Sequence, residues 1–196
     1  MITAILRTRD SARVLGPTLG ALGEGVMTGL LRDVIFADAG STDETADIAE
    51  AVGAVFAPAP ADPLARARGE WVLTLDADAT LPQGWTEAVR RHLSERPGAA
   101  ALFGLRVAGG HRLGPVALNA AAALLGRAAP AHPVLAPRAP GRAPRRVARL
   151  DAHATLGAQG WRARGGLAGQ ARILLRDALY SPRSEAGAAE VGGGGR

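Results

Sequence analysis

The chain has 196 residues, 47% of them hydrophobic and none of them cysteine, which suits one α/β domain with an ordinary core and leaves no room for two full domains. The lack of cysteine excludes disulfides, thiolate metal sites and cysteine nucleophiles. The formal charge of +5 comes from 23 basic residues that are all Arg, the signature of GC-rich coding rather than of a nucleic-acid surface, and aromatic residues at 4% leave few stacking platforms; no nucleic-acid partner is expected.

Residues 1–6 reach Arg7 before an apolar stretch grows long enough for a signal peptide. The longest apolar stretch, 116–125, is interrupted by Asn119 and falls short of the roughly 20 residues that span a bilayer. A cytoplasmic chain is expected, at most peripheral to the inner face of a membrane.

Residues 2–6 read as a buried strand, and Val14, Leu15, Leu19 and Leu22 recur at helical spacing over 11–22. A second β-prone run covers 34–37. The capping-box pattern of Ser41 and Glu44 then predicts a helix start, with Ala46, Ile48, Ala49 and Val52 on one face and Gly53 as its stop. A third strand is expected over 54–57, and Asp62 with Pro63 predicts a helix of one or two turns ending before Gly69. Residues 71–75 form the most strand-like run; it ends at Asp76-Ala77-Asp78, after which Trp85, Val89 and Leu93 mark a helix stopped by Pro97 and Gly98.

Another strand is expected over 99–107 and another helix over 116–129. Prolines at 130, 133, 137, 140 and 144 predict no regular element over 130–146. Residues 171–175 read as a last strand, and a Gly-rich tail over 184–196 reads as disordered. Strands alternating with helices predict right-handed crossovers, a mostly parallel central sheet flanked by helices, and ligands outside the carboxyl ends of the strands.

Both acidic turns fall at such ends. In an extended backbone the side chains at i and i+2 point the same way, so Asp76 and Asp78 can converge on one hard cation, Mg²⁺ or Mn²⁺, which would neutralise a departing diphosphate. In the turn over 38–43, Ser41 and Asp43 suit helix capping. Asp38 does not: it precedes Gly40 at the strand end, where a carboxylate can accept hydrogen bonds from a nucleobase imide or a ribose hydroxyl. One acid for a base and a pair for a metal diphosphate describe a nucleotide-sugar pocket.

Three stretches carry a family resemblance. Residues 5–10 with Val14, Leu15, Thr18 and Leu19 form an opening strand and helix, 34–45 hold an Asp-x-Gly-Ser-Thr-Asp turn, and 69–78 end in Asp-x-Asp, with 81–85 continuing the pattern. In unbroken order over residues 1–107 they resemble a family 2 glycosyltransferase of the GT-A fold, a Rossmann-related α/β domain. The resemblance implies one domain over 1–183, with a nucleotide-sugar-binding half at 1–107 and a short acceptor half at 108–183 that includes the Pro- and Arg-rich loop 130–146.

It also implies inverting hexosyl transfer from a nucleotide-diphospho-sugar donor to an acceptor that could be a glycan or lipid-linked. Asp38 would contact the base and Thr8 would line its pocket. Asp76 and Asp78 would hold the metal diphosphate, and Arg68 would grip the phosphates in place of the basic residue that relatives carry before this strand; Arg66 is read as solvated. Inversion needs a general base, usually from a downstream Glu-Asp pair. Asp151 is the nearest candidate, with Leu150 at the Glu position, and His153 and His132 are alternatives.

The chain departs from the family pattern at Asp10, where Asn is usual, and at Ala39, where many members carry a second acid. Arg138, Arg142, Arg145, Arg146 and Arg149 fall where an acceptor site would be built, as a lid, a contact to an anionic membrane surface, or a disordered segment. The alternative to an enzyme is a degenerate nucleotide-binding module without turnover. A nucleotidyltransferase ranks third, because residues 7–11 contain none of the glycines its phosphate loop needs.

Overall fold

The computed structural model describes residues 1–109, 113–125, 131–138, 147–170 and 172. Among the described residues the sheet has eight strands in the order β3-β2-β1-β4-β7-β6-β8-β5. The first half is built from β1 (Ile2–Thr8), β2 (Leu31–Asp38), β3 (Val55–Pro58) and β4 (Trp71–Asp76), all parallel. Between them run α1 (Leu15–Met27), α2 (Thr45–Ala51) and the short α3 (Pro63–Arg66). β1 is buried on both faces, which explains its largely apolar run: Ile2, Ala4 and Leu6 join the main core while Ile5 packs with Ile35, Ala57, Ala67 and Val72 on the other side.

The second half follows β5 (Ala79–Thr80) and α4 (Trp85–Glu95) with β6 (Ala101–Val107), α5 (Leu113–Leu125), β7 (Val134–Pro137), β8 (Ala148–Leu156) and α6 (Ala158–Ala163). β7 runs antiparallel between β4 and β6, β6 and β8 are parallel, and β5 closes the far edge antiparallel to β8. Only Ala77 and Asp78 separate β4, in mid-sheet, from β5 at the edge. The sheet must therefore curl until β8's carboxyl end stands beside the second acidic turn.

The α/β class, the mostly parallel sheet and the first-half element order match expectation, with α1 beginning at Leu15 and running to Met27. Asp62 caps α3 by accepting from the Leu64 N–H at 2.9 Å, with Pro63 at the first helical position. Gly53 takes a left-handed φ of 66° after α2.

Two readings are corrected, and one strand is added where no element was expected. Ser41 and Glu44 form no capping box: the Ser41 hydroxyl turns to Asp38, Glu44 makes no side-chain cap, and Asp43 accepts from the Thr45 N–H at 3.1 Å. β7 falls inside the proline-rich stretch, where Pro133 precedes it and Pro137 ends it, so the missing N–H groups lie outside its central pairs. The segment around Asp151 is the nine-residue strand β8, with Leu150, Ala152, Ala154 and Leu156 facing the core in alternation. The strand expected over 171–175 and the tail over 184–196 lie outside the described residues, Arg172 excepted, as do 126–129 of the expected helix and all of 139–146 with Arg142, Arg145 and Arg146.

Among the described residues no helix is long and apolar enough to cross a membrane. At the amino ends of the first strands, the Thr3 hydroxyl donates to Asp33 at 2.5 Å and accepts from the Gly69 N–H at 2.8 Å. A Cβ on Gly69 would lie 2.5 Å from the Thr3 nitrogen and 2.7 Å from the Ile2 carbonyl carbon, both backbone atoms that cannot step aside. Gly69→Ala is accordingly expected to destabilise the fold by about 1–3 kcal/mol, the usual scale of overpacking, measured by urea unfolding; an unchanged midpoint would show that β1 and β4 can part at this end.

Candidate functional site

The parallel register sets two pairs of residues side by side at the strand ends. Thr8 at the end of β1 lies opposite Asp38 at the end of β2, and Arg7 lies opposite Asp76 at the end of β4. Thr8 and Asp38 are both buried, and the Thr8 hydroxyl donates to Asp38 Oδ1 at 2.9 Å. Asp38 Oδ2 accepts from the Gly40 and Ser41 N–H groups at 2.9 and 2.8 Å, and the Ser41 hydroxyl donates to Oδ1. Burial pushes the Asp38 carboxyl up, but these four donors outweigh it and hold the group below its ordinary value.

Asp10 extends this frame. Its φ of 45° lies in the left-handed region, which Asp and Asn tolerate better than most side chains. The position thus accepts Asp as well as the Asn that the family resemblance implies. The Asp10 carboxylate accepts from the Thr42 N–H at 2.8 Å, and its own N–H donates to the Ser41 hydroxyl at 2.9 Å. Asp43 crosses back to accept from the Ala12 N–H at 2.9 Å. The loops after β1 and β2 are thereby tied into one rigid rim.

The second acidic turn is fixed through its backbone. The Ala77 N–H donates to the Arg7 carbonyl at 3.1 Å, and the Ala77 carbonyl accepts from the buried Thr18 hydroxyl of α1 at 2.7 Å. The Asp76 and Asp78 side chains then meet two guanidinium groups. Arg7 Nε donates to Asp76 Oδ1 at 2.7 Å. Arg164, just past α6, sets Nη2 on both oxygens of Asp78 at 3.0 and 3.1 Å and Nη1 at 3.3 Å from Asp76 Oδ2.

The approach of α6 needs glycine. A Cβ on Gly160 would fall 1.9 Å from Asp78 Oδ2, and the Gly157 N–H donates to the Asp78 carbonyl at 3.2 Å. Only a bare backbone at 160 lets Arg164, one turn on, reach over both carboxylates.

Around these groups lies a cleft of about 590 Å³ lined by Arg7, Thr8, Arg9, Asp10, Ser11, Val14, Ala39, Ala77, Asp78, Gln159, Gly160, Ala163 and Arg164. That volume suits a mononucleotide-sized ligand. Of the acids and hydroxyl singled out in the sequence, Thr8 and Asp78 line the cleft, while Asp38 and Asp76 lie behind it, bonded to its lining residues Thr8 and Arg7.

Arg68 is not. Its Nε donates to Asp33 at 3.1 Å beside Thr3, five residues back along β1 from Thr8, or about 16 Å at roughly 3.3 Å per residue. It buttresses the opposite end of the sheet. Asp151 is likewise remote: it is exposed in β8, five residues before the end that meets Asp78, beside a shallow 150 Å³ hollow with Arg91, His92, Glu95 and Arg96. Neither histidine lines the cleft. His132 is buried with Nε2 3.2 Å from Asn119 Oδ1, and His153 lies against Gly104 with Arg149 Nη2 2.9 Å from its Nε2. Burial, then the charges of Arg106 and Arg149, push the His153 pKa down.

Sequence reading missed Arg164 and Gly160, and it took Thr18 as part of the family pattern without its bond to the Ala77 carbonyl. In a chain whose basic residues are all Arg, nothing in the composition of residues 161–164 marks Arg164 out; the Gly157 and Gly160 pair just before it is the one local signal.

No family model and no curated protein sequence matches the chain. Solved structures do. Glucosyl-3-phosphoglycerate synthase from Mycobacterium tuberculosis, in complex with Mn²⁺, UDP and phosphoglyceric acid, superposes with a TM-score of 0.51 at 21% identity over 70% of this chain and 56% of that one. A mycobacterial protein gives 0.50 at 23% over 80% and 65%. The 1–349 portion of S. aureus TarS, also solved with UDP, gives 0.50 at 19% over 57% and 37%. The chain spans less than two thirds of the length of each.

The turn around Asp38 carries a pH prediction. Because the folded pKa is lowered, the stabilisation is present above the unfolded carboxylate value near 3.9 and is lost as pH falls through the lower folded value. Asp38→Ala is expected to cost about 1–3 kcal/mol at neutral pH, the scale for orphaning buried donors, and to flatten the acid limb of stability against pH; an unchanged acid limb would remove Asp38 from the linkage. The synthase and TarS are GT-A glycosyltransferases of family 2, and the fold this chain shares with them is the GT-A fold that its sequence resembles.

Proposed function

We propose that the cleft binds a nucleotide-diphospho-sugar and that the protein transfers its hexosyl group to an acceptor. The observation that carries the reading is the cleft itself. It opens at the carboxyl ends of parallel strands, it is walled by Arg7, Arg9 and Arg164 beside the acidic turns, and the fold is one in which neighbours were solved with UDP. Guanidinium groups suit a diphosphate because their paired N–H groups match two phosphoryl oxygens. The rim made by Thr8, Asp38 and Ser41 is the place for the base.

A second reading has its own support. Inverting transfer needs a base on the acceptor side to take the proton of the attacking hydroxyl. The cleft-lining carboxylates are Asp10, tied to Thr42, and Asp78, tied to Arg164, while the α6 side contributes Gln159, Gly160 and Ala163. Asp151 faces elsewhere. A module that binds the nucleotide without turning it over fits these residues, and so does an enzyme whose acceptor side is completed outside the described residues.

Thermal unfolding with UDP and with GDP separates binding from no binding. Ligand at about 100 times its dissociation constant adds roughly 2.7 kcal/mol and raises the midpoint by several degrees in a chain of this size. Ala39→Trp, which fills the cleft wall from an exposed position, is expected to abolish that shift while leaving the unliganded midpoint unchanged; a shift that survives it places the nucleotide elsewhere. Release of UDP or GDP from the corresponding sugar nucleotides then divides enzyme from module. Asp151→Asn is expected to leave both readouts unchanged, and loss of turnover in that variant would bring Asp151 back as the base.

A further inference from the structure

The donor set of the second acidic turn is two carboxylates, and both already hold a cation. Arg164 bridges Asp76 and Asp78 at 3.0 to 3.3 Å, and Arg7 takes the other oxygen of Asp76. Two guanidinium charges match two carboxylate charges. Among the described residues no group of three acidic or histidine side chains is placed to hold a metal ion. A divalent ion entering here would meet Arg164 at contact distance and would have to displace it, so the residues in place do not fit a metal beside it.

The contact is built rather than incidental. α6 reaches Asp78 only because residue 160 has no side chain, and Asp76, 8% exposed, is carried by the last position of a central strand. The Arg164 side chain is 30% exposed and forms part of the cleft wall with Arg7 and Arg9. Nη1 and Nη2 face the carboxylates and Nε is buried without a hydrogen-bond partner, so the N–H groups of Nη1 and Nη2 that the carboxylates leave unused are the ones that can meet a phosphoryl oxygen, which a hydrated metal would otherwise have to do.

We propose that Arg164 is the resident counter-ion of this site and that the cleft binds a nucleoside diphosphate without a divalent metal. The inference rests on the nucleotide reading above and deepens it. Asp76 and Asp78 then act as positioning residues that hold the guanidinium, and the diphosphate is met by Arg164 together with other cleft arginines.

Calorimetric titration of UDP and of GDP into the wild-type protein, once in EDTA and once in Mn²⁺, tests this directly. Binding is expected in EDTA, with Mn²⁺ changing the affinity by no more than a few-fold. Arg164→Ala is expected to lose about tenfold or more in EDTA, the worth of a charge-assisted contact, and Arg164→Lys, which keeps the charge but not the fork, to recover part of it. Mn²⁺ alone, followed by the paramagnetic resonance of the free ion, should bind to Arg164→Ala and not to the wild type. Circular dichroism confirms that each variant is folded, and a variant that fails to fold leaves the two wild-type measurements to decide.

Wild-type binding that vanishes in EDTA and returns with Mn²⁺, or wild-type uptake of Mn²⁺ alone, overturns the inference while leaving the nucleotide reading intact. Absence of UDP and GDP binding under every condition overturns both.

Discussion

The contact of one guanidinium with two carboxylates, Arg164 with Asp76 and Asp78, joins the two halves of the molecule at the cleft. The carboxylates belong to the parallel half and the arginine to the segment after β8. Because β4 passes into β5 through two residues, and β5 must pair with β8, the sheet can close only with β8's end at the acidic turn. Curl, helix approach and ion pair are three views of one constraint. The charges stay where they are because the backbone under them is held: Ala77 is tied to Arg7 on one side and to Thr18 on the other.

The first acidic turn solves a different problem. A carboxylate at 4% exposure needs its lone pairs filled, and Asp38 fills them with the hydroxyls of Thr8 and Ser41 and the N–H groups of Gly40 and Ser41. Asp10 and Asp43 do the same across the two loops. The acids that look like ligands in the sequence are thus also the struts of the rim. A ligand arriving there meets a surface already in place, so little ordering entropy opposes binding. The same economy explains why removing a strut should affect stability as well as recognition.

The first half was legible from sequence because its signals are local. An apolar run buried on both faces marks β1, the Asp62 and Pro63 pair marks α3, Gly53 marks the end of α2, and two acidic turns follow strands. The second half was not, because its signals are long-range or weak. β8 alternates correctly, but two of its four inward positions are alanine, and their small side chains barely register against an Ala-rich background. β7 hides between prolines whose missing N–H groups happen to fall at its ends. Arg68 and Asp151 were placed by analogy along the chain, and the fold sends one to the far end of the sheet and the other to an outer face.

Arg164 shows why such a residue escapes a reading that proceeds along the chain. It lies 86 positions from Asp78, and in a protein whose cations are all arginine its type says nothing. What distinguishes it is a glycine: residue 160 is bare because a side chain there would occupy the space of an Asp78 oxygen. A helix that gives up a side chain loses propensity, on the order of 1 kcal/mol for Gly against Ala, and gains in exchange the closeness that lets one guanidinium span two carboxylates. That trade is made at the wall of the cleft rather than in the core, where burial alone would account for close packing. The position of a glycine, more than the count of charges, marks where this chain places its cation.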